Sequence, residues 1–313
     1  MHWVQALEKI LYQYFAYGLS IHSDFEIREF PVRESQAADI TIRLGDVAEE
    51  LEGAEWFRST WQAKLGHFQM DVPDVGRFLA TNGNEMIVDR LPGASDQEIV
   101  IYTVGSMFAA LLQQRDHLTL HASSIKGPDG AVIFVGSSGM GKSTLLSAMN
   151  ARGYAMIADD ITALKRNQDG LIEAIPATPV TRLWEDSAHE LDRKADEGWQ
   201  VRSDMNKYNL PIENFCSDPI PVSHIFLLSN PGSGEMGVEA IAPSQKFMAL
   251  KKFTYRKHFM AGMSMDVFLF KFVNDMIHSV PVDLLVRPHG NYELDKLAQL
   301  VESAVERGDK VSS

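Results

Sequence analysis

The chain of 313 residues has only one cysteine, Cys216, so no intrachain disulfide can form. An unpaired thiol is typical of proteins from reducing compartments. No apolar run approaches the roughly 20 residues that span a bilayer, and Glu8 and Lys9 interrupt the N-terminal apolar residues, which therefore do not resemble a secretory signal. We expect a cytoplasmic protein that has no membrane partner.

Positive charge is also scarce. The sequence has 29 lysines and arginines against 42 aspartates and glutamates, which gives a formal net charge of -13. Because binding to nucleic acids and anionic membranes relies on cationic surface, this balance disfavours both and favours a neutral or basic protein partner. The hydrophobic content of 45% is enough for a packed core in each of two ordinary domains. The sequence leaves the oligomeric state open, and a homo-oligomer is compatible with it.

One segment has chemistry that can be read directly, because it matches the phosphate-binding pattern G-x-x-x-x-G-K-[ST]. An apolar run, Ala131–Val135, precedes the segment, and helix-forming residues follow it, as the phosphate-binding loop (P-loop) requires. Backbone N–H groups of such a loop surround phosphates, while the lysine reaches the β/γ oxygens and the hydroxyl ligates Mg²⁺. The sequence therefore predicts that the chain binds a nucleoside triphosphate with Mg²⁺. We expect ATP as this cofactor, although the motif leaves the nucleotide preference open. The predicted binding residues are Gly136, Ser137, Ser138, Gly139, Met140, Gly141, Lys142, Ser143 and Thr144.

The residues before the P-loop predict a separate N-terminal α+β domain, residues 1–117. Trp3 to Tyr14 have apolar residues at helical spacing, which predicts an amphipathic helix. Alternating or β-branched residues predict short strands, and Asn82-Gly83 is a strong hairpin signal. These strands are predicted at 17–21, 40–44 and 77–88, and a helix that joins the two domains is predicted at 98–114.

The second predicted domain, residues 118–305, has an α/β pattern of strand, loop, helix and strand. Ala131–Val135 is predicted to be a central parallel strand. Further strands are predicted at 154–158, 224–229 and 282–286, with a hairpin around 167–170. The polar stretch from Glu185 to Asp218 has little periodicity, which predicts a loop-rich or mobile segment of the kind that forms lids. Residues 306–313 are predicted to form a tail.

Asp159-Asp160 ends the strand that follows the P-loop helix, so we expect a carboxylate at the carboxyl edge of the sheet, where ligands bind in open α/β folds. Phosphoryl transfer needs a carboxylate that holds the metal and one that accepts the proton of the attacking hydroxyl. Adjacent residues of a straight strand point to opposite faces, so an irregular strand end is implied. His121 ends the strand before the nucleotide-binding strand and on its own would be read as a structural histidine.

The segments Leu120–Ser124, Gly136–Thr144, Arg152–Tyr154 and Ala158–Asp160 together resemble the catalytic core of HPr kinase/phosphorylase and related serine kinases. The resemblance implies a P-loop core of the HPr kinase/phosphoenolpyruvate carboxykinase type. It also implies that Asp159 is the general base, that Asp160 is a metal ligand beside Ser143, and that His121 lies near the transferred phosphate.

The resemblance extends outward at lower specificity. Pro179–Trp184 resembles a Leu-Trp segment after the core, and Asn206–Tyr208 resembles a lysine-bearing segment, which implies a catalytic role for Lys207 on the acceptor side. Ala122 stands where the HPr kinases have a glycine, and their later glycine-rich acidic signature is not found, which puts phosphorylase activity in doubt. The His-Ala-Ser form, the front domain and the overall length resemble the subgroup that phosphorylates the C-terminal serine of lasso precursor peptides.

The sequence thus predicts an ATP-dependent serine kinase whose partner is a peptide or protein with an acceptor serine. A small-molecule kinase or an HPr-type protein kinase on the same core stays open as an alternative enzyme. A nucleotide-sensing module without turnover is the alternative from another functional class.

Overall fold

The structure is a computed structural model that describes residues 11–191, 193–194, 197–202, 204–230, 235–287 and 293–308. The N-terminal half of these residues is built around one large mixed sheet, whose strand order is β1-β2-β3-β8-β7-β6-β5-β4. Its strands are β1 (Tyr12–Ala16), β2 (Leu19–Ser23), β3 (Ile40–Leu44), β4 (Trp56–Arg58), β5 (Trp61–Lys64), β6 (His67–Val72), β7 (Gly76–Thr81) and β8 (Glu85–Arg90).

The structure has a strand, β1, where the sequence predicted the end of an N-terminal helix. Tyr14 lies in β1, which pairs antiparallel with β2, because alternate side chains of β1 such as Tyr14 and Ala16 are buried against the core. Residues 1–10, which carry the rest of that prediction, lie outside the described residues. Tyr17 and Gly18 form the β1–β2 turn with φ of 54° and 71°, so the strand predicted from residue 17 begins at Leu19.

The predicted hairpin turn and the predicted joining helix agree with the structure. Asn82 and Gly83 have φ of 48° and 70° in the turn between β7 and β8. The predicted joining helix is observed as α1 (Asp96–Tyr102), a π-helical turn (Thr103–Met107) and α2 (Phe108–Gln114). Ser95 caps α1 in a reciprocal capping box with Glu98.

A second mixed sheet carries the P-loop, and its path is β10-β9-β12-β13-β17-β19-β18, with β11 paired to β9. Its elements, with the helices that pack on it, are β9 (Leu118–Lys126), β10 (Ala131–Val135), α3 (Lys142–Ala151), β11 (Met156–Ala158), β12 (Ile161–Arg166), β13 (Ile172–Ile175), β17 (Ile220–Ser229), β18 (Gly237–Ala240), α5 (Pro243–Phe253), α6 (Lys257–Gly262), α7 (Asp266–Ser279), β19 (Val282–Val286) and α8 (Leu294–Gly308). The structure is therefore a mixed α/β fold.

The strand before the P-loop is fully buried but is parallel on one side only. β10 pairs parallel with β17 and antiparallel with β9, so its environment is mixed where the sequence predicted a parallel strand. All five residues of β10 are buried, because helices cover both faces of the sheet: α5, α6 and α7 pack on one face and α3 and α8 on the other. The antiparallel pairing places the carboxyl ends of β10 and β11 beside the middle of β9, at Ala122 and Ser124. His121 therefore lies within β9 and not at the end of its strand, as the sequence had predicted.

A small third sheet, β14-β16-β15, corrects the prediction of a loop-rich 185–218 segment. The segment contains α4 (Glu185–Glu190), β15 (Trp199–Gln200) and β16 (Lys207–Pro211), and β16 pairs with β14 (Val180–Trp184). The sequence did not predict these elements because the small sheet buries few apolar side chains, among them Leu183 and Leu210, and so leaves no clear apolar periodicity.

The two main sheets share buried contacts. Phe68 of the N-terminal sheet packs on Phe259 of α6 with ring centroids 3.9 Å apart. α8 continues to Gly308, so residues 306–308, predicted as tail, are helical, and residues 309–313 lie outside the described residues. No helix of the described residues is both long and apolar enough to cross a membrane.

Candidate phosphate-binding and transfer site

The P-loop lies between the carboxyl end of β10 and the first turn of α3. Gly139 and Gly141 have φ of 79° and 84°, a left-handed conformation that side-chain-bearing residues adopt at a cost. At Gly136, an added Cβ would lie 3.3 Å from the Cβ of Leu228, which is tighter than ordinary contact. Backbone conformation therefore favours glycine at positions 139 and 141, and close approach favours it at position 136, as the motif predicts.

The P-loop lysine is buried and is held by groups of its own loop. Lys142 Nζ donates hydrogen bonds to the carbonyl oxygens of Gly136 at 2.9 Å and of Ser137 at 3.1 Å, and it lies 3.1 Å from His121 Nε2. Burial lowers the pKa of Lys142, and the negative charges of Asp159 and Asp160 act in the opposite direction. The ammonium group thus lies among acceptors that a phosphate oxygen could replace.

The geometry around His121 indicates its tautomer. Nδ1 lies 3.1 Å from the carbonyl oxygen of Asp160, which can only accept, so Nδ1 carries the proton. Nε2 is then the acceptor for the Lys142 ammonium group. Burial, assisted by the Lys142 charge, lowers the pKa of His121, so the neutral ring is favoured. His121 therefore positions the P-loop lysine and contacts the Asp160 backbone.

Asp159 faces the P-loop helix. Its Oδ1 accepts hydrogen bonds from Ser143 Oγ at 2.9 Å and from Ser123 Oγ at 2.5 Å. Its Oδ2 accepts from Thr181 Oγ1 at 2.8 Å and from the Arg182 backbone N–H at 2.9 Å. Four donors from three separate segments fix the carboxylate beside the P-loop serine.

Asp160 adopts a left-handed conformation with φ of 70°, which is the irregular strand end that the adjacent aspartates imply. Its Oδ2 accepts a hydrogen bond from Arg182 Nη1 at 2.8 Å, and its Oδ1 lies 3.4 Å from His121 Nδ1. Burial would raise the pKa of Asp160, but the positive charges of Arg182 and Lys207 outweigh it and hold the pKa below its usual value. Asp160 is therefore ionised at neutral pH.

One pocket of about 90 Å³ brings most of the predicted residues together. Lys207 of β16 reaches this pocket beside Trp184, whose ring centroid lies 5.9 Å from its Nζ. Asp159, Gly136, Ser137 and Met140 are not part of the lining, although Asp159 contacts Ser143 directly. The predicted residues that line the pocket are His121, Ser138, Gly139, Gly141, Lys142, Ser143, Thr144, Asp160 and Lys207.

Several residues of the site were not identified as functional from the sequence. Ser123 lies in the segment of His121, and Thr181 and Arg182 lie in the segment Pro179–Trp184. Arg182 is the most important of them, because its backbone binds Asp159 while its guanidinium binds Asp160. The resemblance of that segment to other kinases was the available signal, but nothing in the local pattern assigns a partner to Arg182.

The chain matches no protein-family model and no curated protein. Among solved structures it is similar to the HPr(Ser) kinase/phosphatase from Coxiella burnetii, at 14% sequence identity and a TM-score of 0.33. The alignment covers 62% of this chain and 94% of that chain. This is a distant structural similarity.

Proposed function

We propose that the chain is an ATP- and Mg²⁺-dependent kinase that transfers the γ-phosphate to a serine of a peptide or protein. The observation that carries the proposal is the contact of Asp159 with the P-loop hydroxyl of Ser143 at 2.9 Å. On the other side of the same strand end, Asp160 lies in one pocket with His121 and Lys142. Asp159 thus contacts the P-loop, and Asp160 faces the pocket in which the reacting groups would lie.

The residues beside the P-loop fit Mg²⁺. Ser143 and Asp159 offer a hydroxyl and a carboxylate, which are the hard oxygen donors that Mg²⁺ prefers. Within the described residues, no group of three or more His, Cys, Asp or Glu side chains could hold a metal alone. This agrees with the usual mode of Mg²⁺ binding, through one or two protein ligands and substrate phosphates. When bound, Mg²⁺ neutralises charge on the β/γ oxygens.

The geometry favours an exchange of the two roles that the family resemblance implies. We assign the metal side to Asp159, because it contacts Ser143, and the proton-accepting role to Asp160, because it is ionised and faces the pocket. Arg182 and Lys207 would stabilise negative charge on the transferred group, and Lys142 would exchange its loop carbonyl acceptors for phosphate oxygens. Little basicity is required of Asp160, because phosphoryl transfer depends mainly on positioning and charge neutralisation.

For the acceptor, we propose the C-terminal serine of a lasso precursor peptide. The support is the motif resemblance at Leu120–Ser124 and in the front domain. Lys207 and Trp184 would then lie on the acceptor side of the pocket.

The test uses a precursor peptide that ends in serine, a second peptide that ends in alanine, and ATP with Mg²⁺. We expect mass spectrometry to detect one added phosphate on the serine peptide and none on the alanine peptide. Lys142→Ala should abolish the transfer, while Lys126→Ala, an exposed lysine at the end of β9, should retain it. Unchanged transfer by Lys142→Ala would refute the kinase assignment, and phosphorylation of another acceptor alone would refute the lasso assignment.

A further inference from the structure

Two neighbouring helices that pack on the second sheet carry apolar side chains that lie in solvent. Met248 of α5 and Val267 and Phe270 of α7 are 64%, 66% and 58% exposed. Phe270 contacts the partly buried Phe247 of α5, with ring centroids 5.4 Å apart, so the exposed side chains of the two helices adjoin one interhelical contact. Single exposed apolar residues are common on protein surfaces, but apolar side chains that adjoin one another often mark a binding site.

Lysines lie beside this apolar surface on both helices. Residues three and four apart are neighbours on a helix surface, so Lys251 and Lys252 lie beside Met248 on α5. For the same reason, Lys271 lies beside Val267 on α7. All of these residues are exposed. We use the name basic–apolar face for the surface that consists of Met248, Lys251, Lys252, Val267, Phe270 and Lys271.

The α5 part of this face belongs to a segment without carboxylates. Residues 241–265 contain five lysines and arginines and no aspartate or glutamate, in a chain that has 42 acidic residues. The carboxylates of α7 are Asp266 in its first turn and Asp275, which pairs with Arg166 of β12. Among the described residues, no ion pair includes a lysine of the face. These lysine charges therefore favour an anionic partner.

The combination of charge and apolar exposure indicates the chemistry of that partner. Leucine or phenylalanine side chains would cover Met248 and Phe270, and carboxylates on either side of them would pair with the lysines. Two helices side by side form a groove of the type that receives the apolar side of an amphipathic helix. Because the chain has a formal net charge of -13, an acidic partner is repelled by the molecule as a whole and attracted at this face, which would orient it. The same net charge disfavours an anionic membrane as the partner.

We propose that the basic–apolar face binds an acidic amphipathic helix of a partner protein. The proposal does not rest on the kinase proposal, because no residue of the face lines the P-loop pocket. The face is still joined to the transfer site through the chain, since α5 ends at Phe253 and the Tyr255 ring centroid lies 6.1 Å from that of His121. A partner held at the face would thus contact a helix that leads directly to the transfer site.

The test measures the binding of three labelled peptides by fluorescence anisotropy at low salt, without ATP. The first peptide is an amphipathic helix of about 18 residues, with leucine at i, i+3, i+4 and i+7 spacing and glutamates at the flanking positions. In the second peptide glutamine replaces each glutamate, and in the third serine replaces each leucine. We expect the first peptide to bind the wild-type chain at least about fivefold more tightly than either of the others.

Two variants of the face are compared with matched controls. Lys271→Glu reverses a charge of the face, and Lys126→Glu, at the exposed end of β9, changes the net charge equally. We expect Lys271→Glu to weaken binding of the first peptide about fivefold and Lys126→Glu to weaken it by less than about twofold. Phe270→Ala removes an aromatic contact and should weaken binding to a similar extent, whereas Leu65→Ala, whose side chain is 70% exposed outside the face, should not.

The proposal is overturned if the first peptide does not bind the wild-type chain, if all three peptides bind equally, or if the controls lose as much binding as the variants of the face. A wild-type dimer that Lys271→Glu separates in light scattering would also overturn it, because a second copy would then occupy the face. So would sedimentation of the wild-type chain, but not of Lys271→Glu, with phosphatidylserine vesicles. If no phosphate is transferred to any acceptor, the kinase proposal fails, but peptide binding still decides the role of this face.

Discussion

Ser143 Oγ donates a hydrogen bond to Asp159 Oδ1 at 2.9 Å, which joins the P-loop helix to the end of β11. Because the same carboxylate binds donors from β9 and β14, it connects three strands to the P-loop. Asp160, one residue later, turns away through a left-handed conformation and reaches Arg182. This division of the adjacent aspartates leads to the first prediction.

Asp159→Asn and Asp160→Asn should both impair phosphate transfer, but through different kinetic parameters. We expect Asp159→Asn to raise the Mg²⁺ concentration that gives half-maximal transfer, since a metal-side carboxylate is lost. Asp160→Asn should lower kcat by about 10² or more with little change in that Mg²⁺ concentration, which is the usual contribution of a positioned base. Mg²⁺ titrations of the transfer rate check both, with the exposed turn variant Asp169→Asn as control. The reverse pattern would restore the roles that the resemblance implies.

Lys207→Ala should weaken transfer more than ATP binding. Lys207 of β16 lines the pocket, and its charge helps to keep Asp160 ionised. We expect kcat to fall by at least about tenfold, while the dissociation constant of ATP, measured by calorimetry, changes by less than about threefold. Lys165→Ala, on β12, is the control. An equal loss of binding and transfer would place Lys207 on the nucleotide side.

His117 should make the protein less stable in mild acid. Burial lowers the pKa of His117 to about 4 from its ordinary value of 6.5. Below pH 6.5 the unfolded chain binds a proton that the folded chain does not, so the free energy of unfolding falls as the pH is lowered from about 6.5 to about 4. The shift corresponds to about 3 kcal/mol. Denaturant titrations should show a shallower fall for His117→Gln, and no such change for the exposed His278→Gln.

Phe259→Ala should destabilise the fold strongly. The ring is buried against Phe68, with centroids 3.9 Å apart, and joins α6 to the N-terminal sheet. Loss of a buried phenylalanine side chain costs about 3–5 kcal/mol through lost burial and a residual cavity. Phe270→Ala, whose side chain is 58% exposed, should stay within about 0.5 kcal/mol of wild type. Equal effects of the two variants in denaturant unfolding would contradict the buried contact.

The P-loop could be predicted from the sequence because its chemistry is local. Consecutive residues from Gly136 to Ser143 set the backbone conformation, and the flanking strand and helix are visible in the apolar pattern. The same holds for the Asn82-Gly83 hairpin and for the irregular end at Asp159-Asp160, where steric preferences act within a few residues. The sequence did not predict the mixed pairing of β10 or the short strands β15 and β16. These features depend on pairing with strands that are distant along the chain, which a local pattern does not reveal.

The sequence by itself determined a P-loop motif, the positions of most strands around it along the chain and the presence of two adjacent carboxylates at a strand end. Only the tertiary structure decided which carboxylate faces which partner, because Ser123 and Thr181 reach Asp159 from separate strands. It also decided the place of Arg182, whose backbone and side chain contact different aspartates. Such contacts depend on sheet order and on the left-handed turn at Asp160, and these fix distances that residue spacing along the chain does not contain.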